Sequence, residues 1–245
     1  MYKNILIFFL LLFLFCFLVY NKYKNNNIYL SKYELETILI KNKDKYYDTF
    51  NKNDFKVRNI TTIFEYYDKI KNACCDINID QQQILNNSIN KINNKLINYK
   101  SIGFDGNKIN KIQWIIGIVS NKNYEEGFPH TRNNIIIIPL FLLNNFNLLT
   151  ITLLHEKVHI YQKLFPKDIE EFINHNKYTK YCLKNKIENI RANPDLDEWI
   201  YKDENNNLIT AKYKDNPTSI NDVVYSTLYE HPYEQMAYEL QNLVN

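Results

Sequence analysis

The amino-acid sequence predicts an α+β fold behind an N-terminal membrane helix, and three features carry that reading. A pure apolar run opens the chain, proline-free stretches with apolar residues at helical spacing fill residues 31–99, and short Ile-rich runs alternate with turn residues thereafter. At 245 residues, 45% of them hydrophobic, the chain can bury one substantial core but not two large ones. Lysines are mixed with acids along the chain and the net charge is +3, so there is no basic stripe to follow a phosphate backbone, and nucleic acid is not an expected partner.

Residues 5–19 are all apolar, with Tyr2 and Tyr20 where interfacial aromatics are favoured. The run is shorter than the ~20 residues that span a bilayer comfortably. No small-residue cleavage pattern follows it, however; the chain continues Tyr20, Asn21, Lys22, Tyr23, Lys24. The expectation is an uncleaved, single-pass membrane anchor over residues 1–24. Lysines after the run (Lys22, Lys24, Lys32) outnumber Lys3 before it, which favours a cytoplasmic position for the rest of the chain.

Residues 25–100 read as a helical region, because Ile84, Leu85, Ile89, Ile92, Leu96 and Ile97 recur at helical spacing; two or three helices acting as a scaffold are expected. A turn at Gly103 and Gly106 opens a second unit, residues 101–245. Its first strand is the Ile-rich stretch 112–119. Gly127, Pro129 and His130 mark a loop, and residues 135–138 form a second strand closed by Pro139. Asn145 or Asn147 caps a helix that runs through Leu148 and Leu154 to about Phe165, where Pro166 stops it. A hairpin of residues 199–202 and 208–213 around Asn205, Asn206 and Asn207 follows, and a last helix starts near His231 or Pro232 and ends near Leu243. The cysteines Cys16, Cys74, Cys75 and Cys182 contain no C-x-x-C pair, which argues against a thiolate zinc site. A reducing compartment leaves them free, whereas an oxidising one would allow Cys74 or Cys75 to pair with Cys182.

The helix expected after Asn145 carries His155-Glu156-Lys157-Val158-His159. Histidines four apart project from one helix face about one turn apart, so both imidazoles can bind one metal ion. Glu156 beside them is placed to act as general base on a water at that metal and to pass the proton to a leaving amine. Zinc is the expected ion, since it lowers the pKa of water and polarises a carbonyl. A random ordering of the same residues would contain about 0.005 H-E-x-x-H matches, so chance is a poor explanation. Leu153, Leu154, Val158, Tyr161 and Leu164 supply an apolar side distinct from the histidines. The plainer reading is a pair of surface or satisfied helical histidines. A catalytic zinc needs a third protein ligand, and spacing leaves Glu230, Glu234, Glu239 and, for an all-histidine site, His175.

HEKVH followed downstream by Glu234-Gln235-Met236-Ala237 resembles the gluzincin metallopeptidases, in which H-E-x-x-H and a later E-x-x-A helix supply two His and one Glu. The resemblance implies a zincin-like fold with a small mixed sheet and two ligand helices, a zinc ion, peptide or protein substrates, and Glu234 as third ligand. The 75 positions between His159 and Glu234 look more like the integral-membrane members, such as the CAAX prenyl proteases. The chain departs from them in carrying Tyr238 where an Asp usually follows the Ala. Its composition and layout also resemble zincin-like proteins of large DNA viruses. HEKVHIYQKLF lacks the Gly and third His of metzincins.

In zincins similar to this chain a strand before the metal helix pairs with extended substrate, and residues 135–138 are placed for that role, which is consistent with an endopeptidase. The competing reading is an interior strand with no free edge. A developing oxyanion needs a donor; His231 is the expected one, with Tyr233, Tyr238 and His130 as alternatives. Arg191, Asn193 and Asp195 read as a polar turn cap around Pro194, with Asp195 also able to orient a histidine ligand. The expected function is that of a membrane-anchored zinc metalloendopeptidase; the alternative is a noncatalytic, membrane-tethered zincin-like binding module.

Overall fold

A computed structural model describes residues 27–245 except 121 and 123. The apolar run, and with it the expected anchor, lies outside the described residues, among which no helix is long and apolar enough to cross a membrane.

The described chain enters as β1 (Ile28–Tyr29) and passes through α1 (Lys32–Lys41), α2 (Lys52–Val57) and α3 (Ile63–Ala73) to β2 (Cys74–Cys75) and the long α4 (Ile79–Leu96). A small hairpin, β3 (Lys100–Ser101) with β4 (Phe104–Asp105), leads through α5 (Gly106–Ile109) to β5 (Ile115–Val119), β6 (His130–Arg132) and β7 (Ile135–Pro139). Then come α6 (Phe146–Leu164), α7 (Pro166–His175), β8 (Thr179–Leu183), β9 (Trp199–Lys202), β10 (Leu208–Ile209), β11 (Ala211–Tyr213), β12 (Val223–Tyr225) and α8 (Pro232–Gln241). The class is mixed α+β with small sheets.

Asparagine does much of the local shaping. Asn51 and Asn78 form capping boxes, as Ser31 does, and Asn145 accepts the Leu148 amide at the start of α6. With only four glycines in the chain, Asn42, Asn59, Asn98, Asn133, Asn189, Asn206 and Asn216 supply left-handed turn positions. Pro166 ends α6 and occupies the first turn of α7, where its missing N–H costs nothing.

The main sheet runs β1-β5-β7-β6, with β2 on the same side of β5 as β1. β1, β5 and β7 are parallel, while β2 and β6 are antiparallel to their neighbours. Alternate residues of β7 face opposite cores. Ile136 and Ile138 join α4, α6 and α8, whereas Ile135 and Ile137 join α1 and α3. Gly117 of β5 admits α1 closely, for a Cβ there would lie 2.6 Å from Leu35 Cδ1.

Two expectations change here. Residues 135–138 are an interior strand between β5 and β6, so the free edge on this side is β6; the four consecutive isoleucines are what a strand covered on both faces needs. The division at residue 100 falls inside β3, and β1 and β2 pair with β5, so residues 25–100 share one sheet and both cores with the remainder. The hairpin expected around residues 205–207 forms between β9 and β10. Its second arm ends at Ile209, and β11 turns away to pair with β12.

One buried charge network ties the N-terminal helices to the loop before β6. Arg58 at the end of α2 binds Glu125 at 2.7 Å and Asp54 at 3.2 Å, and the Tyr46 and Tyr66 hydroxyls also donate to Glu125. Burial pushes the Glu125 carboxyl up, but the Arg58 guanidinium beside it outweighs burial and holds it at about 2. The folded value lies below the ordinary 4.5, so the stabilisation is full above that pH and is lost as pH falls towards 2. Urea unfolding of the wild type is expected to lose about 3 kcal/mol between pH 7 and pH 2 from this group, at roughly 1.36 kcal/mol per pH unit. Glu125→Gln should remove that component and destabilise the protein by about 3 kcal/mol or more at pH 7, because it leaves Arg58 buried without its partner.

Candidate metal centre

Helices α6 and α8 pack side by side, with α6 against β6 and β7, and bring distant residues together. Leu153, Leu154 and Val158 of α6 share one core with Met236, Ala237 and Leu240 of α8. The result is that His155, His159 and Glu234 offer ligand atoms all within 4.8 Å of one another. The two Nε2 atoms are 3.1 Å apart, and Glu234 carboxylate oxygens lie 3.4 Å from His155 Nε2 and 3.7 Å from His159 Nε2.

The histidine tautomers follow from their neighbours. Gln162 donates its amide N–H to the Tyr233 carbonyl at 2.9 Å, and a carbonyl can only accept. The Gln162 oxygen therefore faces His159 Nδ1 at 2.9 Å, so that nitrogen carries the proton and Nε2 presents a lone pair. His155 Nδ1 donates in the same way to Gln241 Oε1 at 3.0 Å. Two lone pairs and a carboxylate thus converge, an arrangement that repels itself without a cation and suits a divalent metal. Without a metal ion, burial pushes the Glu234 carboxyl up, but positive charge on the protonated His159 and His155 rings outweighs it and holds the carboxyl at about 2, so the third donor is ionised; a metal ion would supply that positive charge in place of the ring protons. Tyr238, standing where the gluzincin pattern has Asp, packs its ring edge-on against His155 at 4.9 Å. The acceptor for His155 is instead Gln241, about two turns beyond Glu234 on α8.

Glu156 points into the same cleft as His155 and Glu234. It is buried, and its Oε2 has no hydrogen-bond partner. Burial first, then the negative charges of Asp195 and Glu234, push its pKa well above the ordinary carboxylate range. A desolvated carboxyl with a free oxygen beside these three candidate ligands is suited to accept a proton.

The other expected site residues fall elsewhere. His231 caps α8: its Nδ1 accepts the Tyr233 amide at 3.1 Å, its Nε2 donates to Asp197 at 3.1 Å, and it does not line the cleft. With both nitrogens committed, His231 is not the oxyanion donor expected from its position in the sequence. His130 lines the cleft but donates to the Phe128 carbonyl and accepts from Tyr124. Tyr233 packs on His231 and does not line the cleft, whereas Tyr238 does. His175 is exposed at the end of α7, Glu239 faces solvent, and Glu230 is bound by Arg191 at 2.6 Å and Asn193 at 2.7 Å. Asp195 orients no histidine; its Oδ1 accepts both the amide and the hydroxyl of Thr131, each at 2.6 Å. Cys74, Cys75 and Cys182 are free thiols. Gln162 and Gln241 carry no motif that singles them out in the sequence. Their spacings, three after His159 and seven after Glu234, put them on the ligand faces of their helices.

No family model, no curated protein and no solved structure matches this chain. The centre therefore stands on its own geometry, and metal content tests it. The purified protein should hold about one zinc per chain, Glu234→Gln and His159→Ala should abolish tight binding, and Gln162→Ala, which frees the His159 ring, should weaken it roughly 10–100-fold.

Proposed function

We propose that the chain is a zinc-dependent peptidase of zincin-like fold, tethered to a membrane by residues 5–19. The observation that carries this is the convergence of two imidazole lone pairs and an ionised carboxylate beside the unpartnered Glu156 oxygen, on a cleft of about 550 Å³. His155, His159 and Glu234 would hold the zinc. When bound, zinc lowers the pKa of water and polarises a scissile carbonyl.

Glu156 takes the proton of the attacking water and delivers it to the leaving amine. Tyr238, on the cleft beside His155, offers a hydroxyl to the carbonyl oxygen as it gains charge. Phe128, Tyr225, Leu228 and Tyr238 line the cleft and are all partly exposed, Leu228 at 83%, which supports an apolar peptide side chain as the bound group. The zincin reading draws its support from the H-E-x-x-H helix packed on a mixed sheet with a second ligand helix alongside, and the tether rests on the apolar run in the sequence.

Peptide cleavage by the zinc-loaded protein tests the proposal. Glu156→Gln should retain zinc and lose about 10²–10⁴-fold in kcat. Tyr238→Phe should lose roughly 10²–10³-fold with zinc content unchanged. Equal cleavage by wild type and Glu156→Gln would overturn the mechanism, and zinc binding with no cleavage of any peptide would leave the noncatalytic binding module instead.

A further inference from the structure

We propose that residues 191–195 form a fixed wall closing the cleft on one side of the metal ligands, so that the substrates are short peptides and chain ends cut near a terminus. This deepens, and rests on, the peptidase reading above.

An extended polypeptide would pair with the free edge of the sheet, β6. That edge is taken: Asp195 Oδ1 accepts the Thr131 amide and hydroxyl at 2.6 Å each, and Asp195 is 6% exposed. The rest of the segment is anchored by several separate elements. Arg191 donates its amide to Ala211 and its guanidinium to Glu230, and the Ala192 amide reaches the buried Asp54 at 3.2 Å. Lys163 of the metal helix holds the Pro194 carbonyl at 2.9 Å and the Thr131 hydroxyl at 2.6 Å. The Asn193 side chain accepts the Asp195 amide and donates to Glu230. Arg191 Nε is buried without a partner, but a segment tied by this many hydrogen bonds to separate elements is a part of the scaffold and not a lid.

The wall stands at the metal centre itself, for Asn193 Nδ2 lies 3.4 Å from Glu234 Oε1. Behind it is a second hollow of about 890 Å³ that includes none of His155, Glu156 or Glu234 in its lining. The two hollows share Tyr46 and residues 191–194, which places the segment between them. On the metal side the cleft is lined by the exposed Leu228 and Tyr225, and its volume suits one compact ligand. Substrate can therefore extend from the scissile bond in one direction.

The test compares free-ended peptides of about four residues with the same sequence embedded in a long, end-blocked peptide, using zinc-loaded full-length protein and mass-spectrometric product analysis. The wild type is expected to favour the short peptide by about 100-fold or more in kcat/KM, and Asp195→Ala, which frees the β6 edge, should narrow that ratio about tenfold. Equal cleavage of both peptides by the wild type would overturn the wall while leaving the peptidase reading intact; cleavage of neither would remove both. Hydrogen exchange on the wild type gives an independent readout that needs no variant to fold. The Thr131 amide should stay in the slowest-exchanging class when a peptidyl hydroxamate is added, and acceleration of about tenfold or more on addition would show a displaced lid and overturn the proposal.

Discussion

Two imidazole lone pairs and a carboxylate held within 3.1 to 3.7 Å of one another repel unless a cation joins them, and much of the described structure serves to hold them there. The repulsion is resisted by packing. Leu149, Leu153, Leu154, Val158, Ile160 and Tyr161 leave α6 no freedom to rotate, and Met236, Ala237 and Leu240 fix α8 against it. Gln162 then joins the two helices directly, by orienting His159 with its oxygen and gripping the Tyr233 carbonyl with its nitrogen. A single amide thus sets a tautomer and a helix position together.

The cleft beside this centre is supported from the N-terminal helices. Asp54 accepts from Arg58, from the Tyr213 hydroxyl and from the Ala192 amide, so one buried carboxylate links α2, β11 and the segment beside Glu234. Glu125 lines the cleft while bound to Arg58, and it and Glu126 both adopt left-handed backbone. Glu126 in turn accepts from Ser219 and the Ile220 amide. Backbone strain at two successive non-glycine residues persists because both carboxylates are tied on either side.

The parts of this arrangement that were legible in the sequence are those whose chemistry is local. HEKVH declares itself because four residues make one helical turn, and Asn145 and Pro166 mark the ends of that helix by capping and by a missing N–H. Glu234 lies 75 positions from His159, so no spacing rule reaches it, and only the gluzincin resemblance singles it out. His231 is close to Glu234 along the chain but does not line the cleft; the residue before a first-turn proline is a cap position, and that is the role it fills. The strand 135–138 carries four isoleucines with no polar alternation, which marks an interior strand. β1 and β2, two residues each, are too short to leave any periodic signal. The glutamines that orient the histidines are invisible beforehand because an amide has no role until the fold decides which end faces the ring.

X-ray absorption at the zinc edge of the metal-loaded full-length chain tests the centre most directly. A zinc shell of two imidazoles and carboxylate oxygen is predicted in the wild type, with no stoichiometric tightly held zinc left in Glu234→Gln or His159→Ala. A sulfur-containing shell, or an unchanged shell with full zinc content in Glu234→Gln, would contradict it.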